Sequence, residues 1–486
     1  MTDNAVKDLR NKTLSNMLWK LGERMGAQLC SFIVQLILAR LLLPEAFGTI
    51  ALVNVFITIC NVFITNGLGT SLIQKKDADD LDFSTVFFFN LLFSVVVYAL
   101  LFLVTPKIAK YYNNQELVWV IRVLGVQLLI SAVKTVQQAF VARGLKFKLF
   151  FWATFIGTVV SGVVGIAMAY AGTGVWALVG QHLTNSVIGM IMLFITVHWY
   201  PKFSFSLKRL RPLFSYGWKL LASSLVDTIY NDIRTLIIGL KYSREDLAYY
   251  NRGKQFPDLI CDNTMVSIES VLFPVMSKVQ DNPVEIKRIV RRFIKTCSFI
   301  MSPMLLGLAV IANSLISILL TDKWLFCVPY IQIYCVVSAL RPMQTANIQM
   351  IKALGRSDIT FFIEIIKKVI GLAIIFISMK YGVLWIAASN VIYSIIVLVI
   401  NSFPSKKLID YGYLEQLGDL LPSLSASLGM VAIVFPLSLL PIHQITVLAL
   451  QIIIGFISYI FIAKFFRMDS WVYLKSLSRE YIGKFS

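Results

Sequence analysis

Asp258 and Asp262 stand four residues apart in GKQFPDLICDN, so on a helix they share one face, and Glu269 follows two turns later. Carboxylates so placed inside an apolar stretch either bind a coupling proton or sodium ion or neutralise basic neighbours; the spacing fits both. A second, mixed set comprises Asp227, Asp232 and Arg234. A third is cationic, with Glu23 beside Arg24, then Arg40, Arg122 and Lys134. Lys295 and Arg341 stand further along, as does the run Glu364, Lys367, Lys368, where Glu364 and Lys368 have the i,i+4 spacing of a helical ion pair. Arg122 and Lys134 also have stems long enough to snorkel toward the outer and inner interface. About ten basic groups in apolar segments nevertheless exceed what a purely structural bundle should carry, given the cost of inserting each. Taken together they imply a hydrated cationic cavity, and arginine and lysine there suit a diphosphate or another multiply charged anion.

The elements that must hold these groups are membrane helices. The 486 residues are 57% hydrophobic and 15% charged, with a mean hydropathy of +0.75. Soluble domains carry about a quarter charged residues, and β-barrel strands would alternate with period two, which these runs of about 20 residues do not. The sequence therefore predicts an all-α polytopic membrane protein of about 14 spans. Approximate limits are 22–43, 47–69, 83–105, 117–142, 149–171, 175–198 and 214–240. The series continues with 254–278, 292–320, 328–352, 359–380, 382–403, 420–440 and 445–466. The net charge of +19 has its basic residues concentrated in alternate loops, roughly 27 on one side, as the positive-inside rule requires with both termini cytoplasmic. That asymmetry accounts for the charge without a nucleic-acid partner. The polar stretch Met1–Lys20 lacks the apolar core of a cleaved signal peptide.

WKL at Trp19–Leu21 recurs at Trp218–Leu220, and Glu45 and Phe47 of LLPEAFG match Glu245 and Leu247 of YSREDLA. Six spans separate the copies, so both halves enter the membrane in the same direction, as in parallel repeats that handle substrate between them. The expected organisation is a cytoplasmic segment 1–21, lobes at 22–213 and 214–416, an added helix hairpin at 417–466 and a basic cytoplasmic tail at 467–486.

Catalytic and metal chemistry find no constellation. His182, His198 and His443 are scattered without ligand-spaced partners, and the six cysteines lie mostly in apolar runs as packing residues. There is no GxxxxGK[ST] loop for ATP and no GxSxG elbow. The glycines of GTGVWALVG, Gly172–Gly180, straddle a turn and a helix start and need no nucleotide. No cofactor, catalytic residue or metal site is expected.

ARLLLPEAFGTIAL and NGLGTSLIQKK, followed by FSTVFFFN, resemble the start of polysaccharide-export flippases of the Wzx/colanic-acid-exporter type. These share a superfamily, the multidrug/oligosaccharidyl-lipid/polysaccharide (MOP) flippases, with multidrug extruders and the lipid II flippase. RGLKFK, GVWALVGQ, LAYYNRGKQFPD, VLFPVMSKVQDN and ALGRSD extend the resemblance through the twelfth span. It implies two six-helix lobes in a V, as in the multidrug extruders, plus a C-terminal helix pair, working by alternating access in the cell inner membrane. The implied cargo is an undecaprenyl-diphosphate-linked oligosaccharide, with membrane lipids and polysaccharide polymerase or export components as partners. Arg24, Arg40 and Arg234 are then the foremost candidates to face the diphosphate. Family members often carry an acid before the GLG of the second span, where Asn66 stands, and another near Arg234; those departures weaken any transfer of an ion-coupling mechanism. A cation-coupled drug antiporter, which should favour acidic and aromatic walls, and a membrane glycosyltransferase or polymerase on the same lipid carrier are the competing readings.

Overall fold

The computed structural model describes residues 26, 28–75, 77–144 and 147–482, and contains no β-strand among them. Two compact units divide the chain, Met1–Ala248 and Tyr249–Ser486. In the first, α1 (Gln28–Leu41), α2 (Pro44–Thr65), the short α3 (Leu68–Gln74), α4 (Asp80–Tyr111) and α5 (Glu116–Arg143) are followed by α6 (Phe147–Tyr170), α7 (Val175–Val197) and α8 (Leu207–Lys241). Helix α9 (Arg244–Ser277) crosses into the second unit, which continues with α10 (Pro283–Leu320), α11 (Val328–Ala339), α12 (Arg341–Ala353) and α13 (Ser357–Ser378). It closes with α14 (Val383–Ile409), α15 (Tyr413–Val434), α16 (Gln444–Phe465) and α17 (Asp469–Ile482).

Ten helical segments among the described residues are long and apolar enough to cross a membrane. They coincide with ten of the fourteen expected spans. The other four expected positions hold α1, α8, α9 and α13. Helix α1 is described only from Gln28, and α8, α9 and α13 each carry several charged residues that lower their apolarity, whereas Arg122, Lys134, Lys295 and Arg341 lie in segments that still qualify. Pro44 opens α2 with its fixed φ, and Asp79 and Asp82 form a capping box at α4. Gly172 and Gly174, at φ +73° and +60°, make the turn into α7. The expected helix 328–352 breaks at Leu340–Arg341, because Pro342 has no N–H to continue the ladder.

The repeat is visible in helix ends. Helix α1 stops at Leu41 and α8 at Lys241, while α2 starts at Pro44 and α9 at Arg244. The aligned acids Glu45 and Glu245 line one cavity of about 280 Å³ within the first unit. The expected lobes part at 213/214, whereas the compact units part after Ala248, because α8 packs against α2, α3 and α4. Two glycines make that packing close: a Cβ on Gly217 would lie 2.8 Å from the Gly67 carbonyl carbon. Ser71 Oγ, donating to the Leu213 carbonyl at 3.0 Å, fixes the register.

In the second unit, a Cβ on Gly253 would stand 2.4 Å from Tyr330 Cβ, so NRGK lets α9 lie against the start of α11. The hairpin expected at 417–466 is bolted down by buried polar contacts. Asn347 on α12 donates to Gln416 at 2.7 Å and accepts from it at 3.1 Å. Tyr411 donates to Asp419 at 2.8 Å, and Arg291 Nε pairs with the same carboxylate at 2.7 Å. Burial pushes the Tyr411 hydroxyl above its ordinary range, so it stays a donor.

Candidate functional site

The break between α11 and α12 places Arg341 at the start of a helix, where one side chain meets α9. Its guanidinium reaches Asp258 at 3.3 Å and Asp262 at 3.2 Å, so one cation bridges the two i,i+4 carboxylates. Lys254, a further turn back on α9, acts on Asp258 electrostatically and brings this group to two cations and two anions. The group is only partly shielded: Arg341 is 36% exposed and Asp262 58%. Glu269 lies further along α9, half-buried and outside this group. Non-continuous helices are a recurrent way to present charge inside a membrane protein, and here the break and the charges coincide. The i,i+4 pair was legible in the sequence. Lys254 carries the same spacing and was the signal left unread.

The first unit presents charge differently. Lys134 on α5 lies against α7 at Gly189, where a Cβ would sit 3.2 Å from the ammonium nitrogen. Among the described residues no carboxylate is within ion-pair distance of it. One helical face of α7 continues from Gly189 through Asn185 and Gln181. Asn185 Nδ2 approaches Ser161 Oγ at 3.3 Å, and Gln35 Nε2 reaches Gln181 Oε1 at 3.4 Å. Sequence reasoning passed over this uncharged amide stripe, although the 181, 185, 189 spacing marks it.

The remaining expected residues separate. Arg122 stacks its guanidinium 3.9 Å over Phe102 and 5.5 Å from Trp119, using aromatic faces for a countercharge. Arg40 is exposed at the end of α1, and Arg234 is buried on α8, with Asp232 half-buried and Asp227 exposed on the same helix. Lys295 pairs with Asp469 at 2.7 Å and Asp419 at 3.3 Å. That ammonium holds the Asp469 carboxyl below the usual carboxylate range. Arg24 and Glu23 lie outside the described residues. Glu364 pairs with Lys367, one residue closer on the helix than the expected partner Lys368.

Among the described residues no group of histidine, cysteine or acidic side chains is arranged to hold a metal ion, and all six cysteines are free. A multi-pass helical bundle that brings Arg341, Asp258 and Asp262 together at a helix break fits the transporter class of membrane folds. Residues 37–329 match the family described as polysaccharide biosynthesis protein, and the chain belongs to that family. It is 27% identical over 303 residues to the teichuronic acid biosynthesis protein TuaB of Bacillus subtilis (strain 168), covering 62% of this chain and 63% of the relative. The match thus spans less than two thirds of that relative's length. The lipopolysaccharide biosynthesis protein WzxC of Escherichia coli (strain K12) is 24% identical over 367 residues, or 74% of this chain and 73% of its own. Among solved structures, the lipid II flippase MurJ in an inward closed conformation superposes with a TM-score of 0.76 at 16% identity, covering 93% of this chain and 99% of that one. The chain therefore shares the fold of that flippase.

Proposed function

We propose that this protein moves a lipid-linked oligosaccharide across the cell inner membrane, with undecaprenyl diphosphate as the carrier, by alternating between inward-open and outward-open states. The observation that carries the reading is Lys134: a cation within a membrane helix, with no carboxylate partner among the described residues, set against the face of α7 that continues from Gly189 to the amides of Asn185 and Gln181. Uncompensated positive charge inside a bilayer is costly and calls for an anionic partner, and a diphosphate with a sugar attached supplies both anion and hydroxyls for the amides. Arg24, Arg40 and Arg234 are proposed to engage the diphosphate with it, and the α9 carboxylates to take up the coupling ion, proton or sodium. Both termini are proposed to lie in the cytoplasm. Export or polymerase components would receive the cargo on the far side. Family membership supports the polysaccharide part of this reading, and the fold supports the flippase part.

The test is transbilayer movement of a fluorescent undecaprenyl-diphosphate oligosaccharide in proteoliposomes, with and without an ion gradient. Protein-dependent movement is expected, lost when Arg24 and Arg234 are both replaced by alanine in a protein that still folds. Absence of movement in vesicles that expel a cationic dye would instead make the protein a drug antiporter. Formation of a glycosidic bond by the purified protein would make it a transferase.

A further inference from the structure

One face of α10 changes character along its length. Arg288, Arg292 and Lys295 occupy the first turns, and Phe299, Pro303 and Gly307 continue the same face at i+3 or i+4 steps. The first part lines a cavity of about 240 Å³ closed on its other side by Ser470 and Tyr473 of α17. The second part lines an apolar groove of about 530 Å³ with α15 and α16, and Trp471 of α17 stands in its wall. Helix α17 thus contributes adjacent residues to both compartments.

The charge balance of the smaller cavity favours an anion. Arg288, Arg291, Arg292 and Lys295 line it, against the single carboxylate of Asp469. Arg291 is turned toward Asp419 and Glu415, and Lys295 toward Asp419 and Asp469. Arg292 instead lies 4.5 Å over the Tyr473 ring, with no carboxylate in ion-pair distance among the described residues. Arg288 pairs, among the described residues, with Glu285 at 3.5 Å, and its side chain is 67% exposed. The groove beyond is open on the side where Met304, Ile452 and Phe456 are exposed. A polar cavity and an apolar groove joined along one helix face match a molecule with an anionic head and a hydrocarbon tail.

We propose that this compartment is a binding site for one anionic glycerophospholipid, its phosphodiester at Arg288 and Arg292 and an acyl chain in the α10–α15–α16 groove. The occupant is a membrane phospholipid: Arg288 and Arg292 at the mouth suit its phosphodiester, and the apolar walls of the groove suit its acyl chain. The site is independent of the transport reading, so either can fail without the other.

The experiment is quenching of tryptophan emission by lipids brominated in the acyl chain, using the full-length protein in neutral detergent–lipid micelles. Brominated phosphatidylglycerol should quench a component of emission that is missing from the Trp471→Phe variant. Arg288→Ala with Arg292→Ala should raise the phosphatidylglycerol fraction needed by roughly thirtyfold, since each basic group near an anionic surface contributes a factor of about five. Gly307→Leu should abolish the quench by filling the groove; a Cβ there meets only the flexible end of Met430, Cε at 3.5 Å, among the described residues. Equal quenching by brominated phosphatidylcholine, or an unchanged response in both variants, would overturn the proposal. Displacement by millimolar inorganic phosphate would make it a free-phosphate site, and displacement by undecaprenyl diphosphate at equimolar amounts would make it a carrier site; either result also defeats it.

Discussion

The two units solve the problem of intramembrane charge in opposite ways. In the second, Arg341 is neutralised by Asp258 and Asp262 from the neighbouring helix. In the first, Lys134 rests against Gly189 of α7, whose face continues to Asn185 and Gln181. A compensated group costs less to hold in the membrane and changes its charge when one partner is protonated or pulled away. An uncompensated group costs more and attracts an anion. On the proposed function, the compensated group would respond to a coupling ion and the uncompensated one would hold the charged cargo.

The largest effect should come from removing the uncompensated charge. Lys134→Ala is expected to lower oligosaccharide movement in proteoliposomes by tenfold or more, roughly the ~1.4 kcal/mol or greater of one lost charged contact. Lys134→Arg should retain a measurable part of it. If Lys134→Ala transports normally, the contrast between the units has no functional meaning. Next, Arg341→Ala should strand two carboxylates and lower thermal stability by about 1–2 kcal/mol, discounted from a buried pair because the group is partly exposed. Adding Asp258→Asn and Asp262→Asn should return most of that loss, a coupling that melting curves of the single and combined variants would measure. No recovery would show that the contact is incidental.

Arg122→Leu sharpens the first unit's side of the contrast. Its guanidinium is stacked on rings, so the change should cost only about 0.5–1 kcal/mol of stability and reduce transport less than Lys134→Ala does. The smallest effect concerns Asp469, whose carboxyl is depressed by the Lys295 ammonium. A depressed acid contributes stability that is fully present above its unfolded pKa of about 4, and that contribution fades as pH falls from there through the folded value. Docking of α17 should therefore loosen only below about pH 4. Protease cleavage after α16 should detect it, and Asp469→Asn should remove the pH dependence.

Much of the fold was legible because a bilayer constrains sequence harder than water does. Runs near 20 apolar residues, turn signals such as Gly172 and Gly174, and the 200-residue recurrence of Glu45 at Glu245 marked helices that the structure contains. The candidate site was less legible. Asp258 and Asp262 announced themselves by spacing, but nothing local in sequence said that Arg341, 79 residues further on, would bridge them. Lys295 read as one more cavity cation, yet it is engaged by carboxylates from α15 and α17. The boundary of the compact units was hidden too, since it depends on glycine contacts such as Gly67 with Gly217, which carry no periodic signal.

The sequence alone determined that this is a helical membrane protein with an excess of positive charge in apolar segments, because hydropathy and charge are properties of short windows. Only the tertiary structure decided which charges are compensated. Compensation requires two side chains within a few ångströms, and helix packing, not spacing along the chain, brings Arg341 to Asp258 and leaves Lys134 beside Gly189.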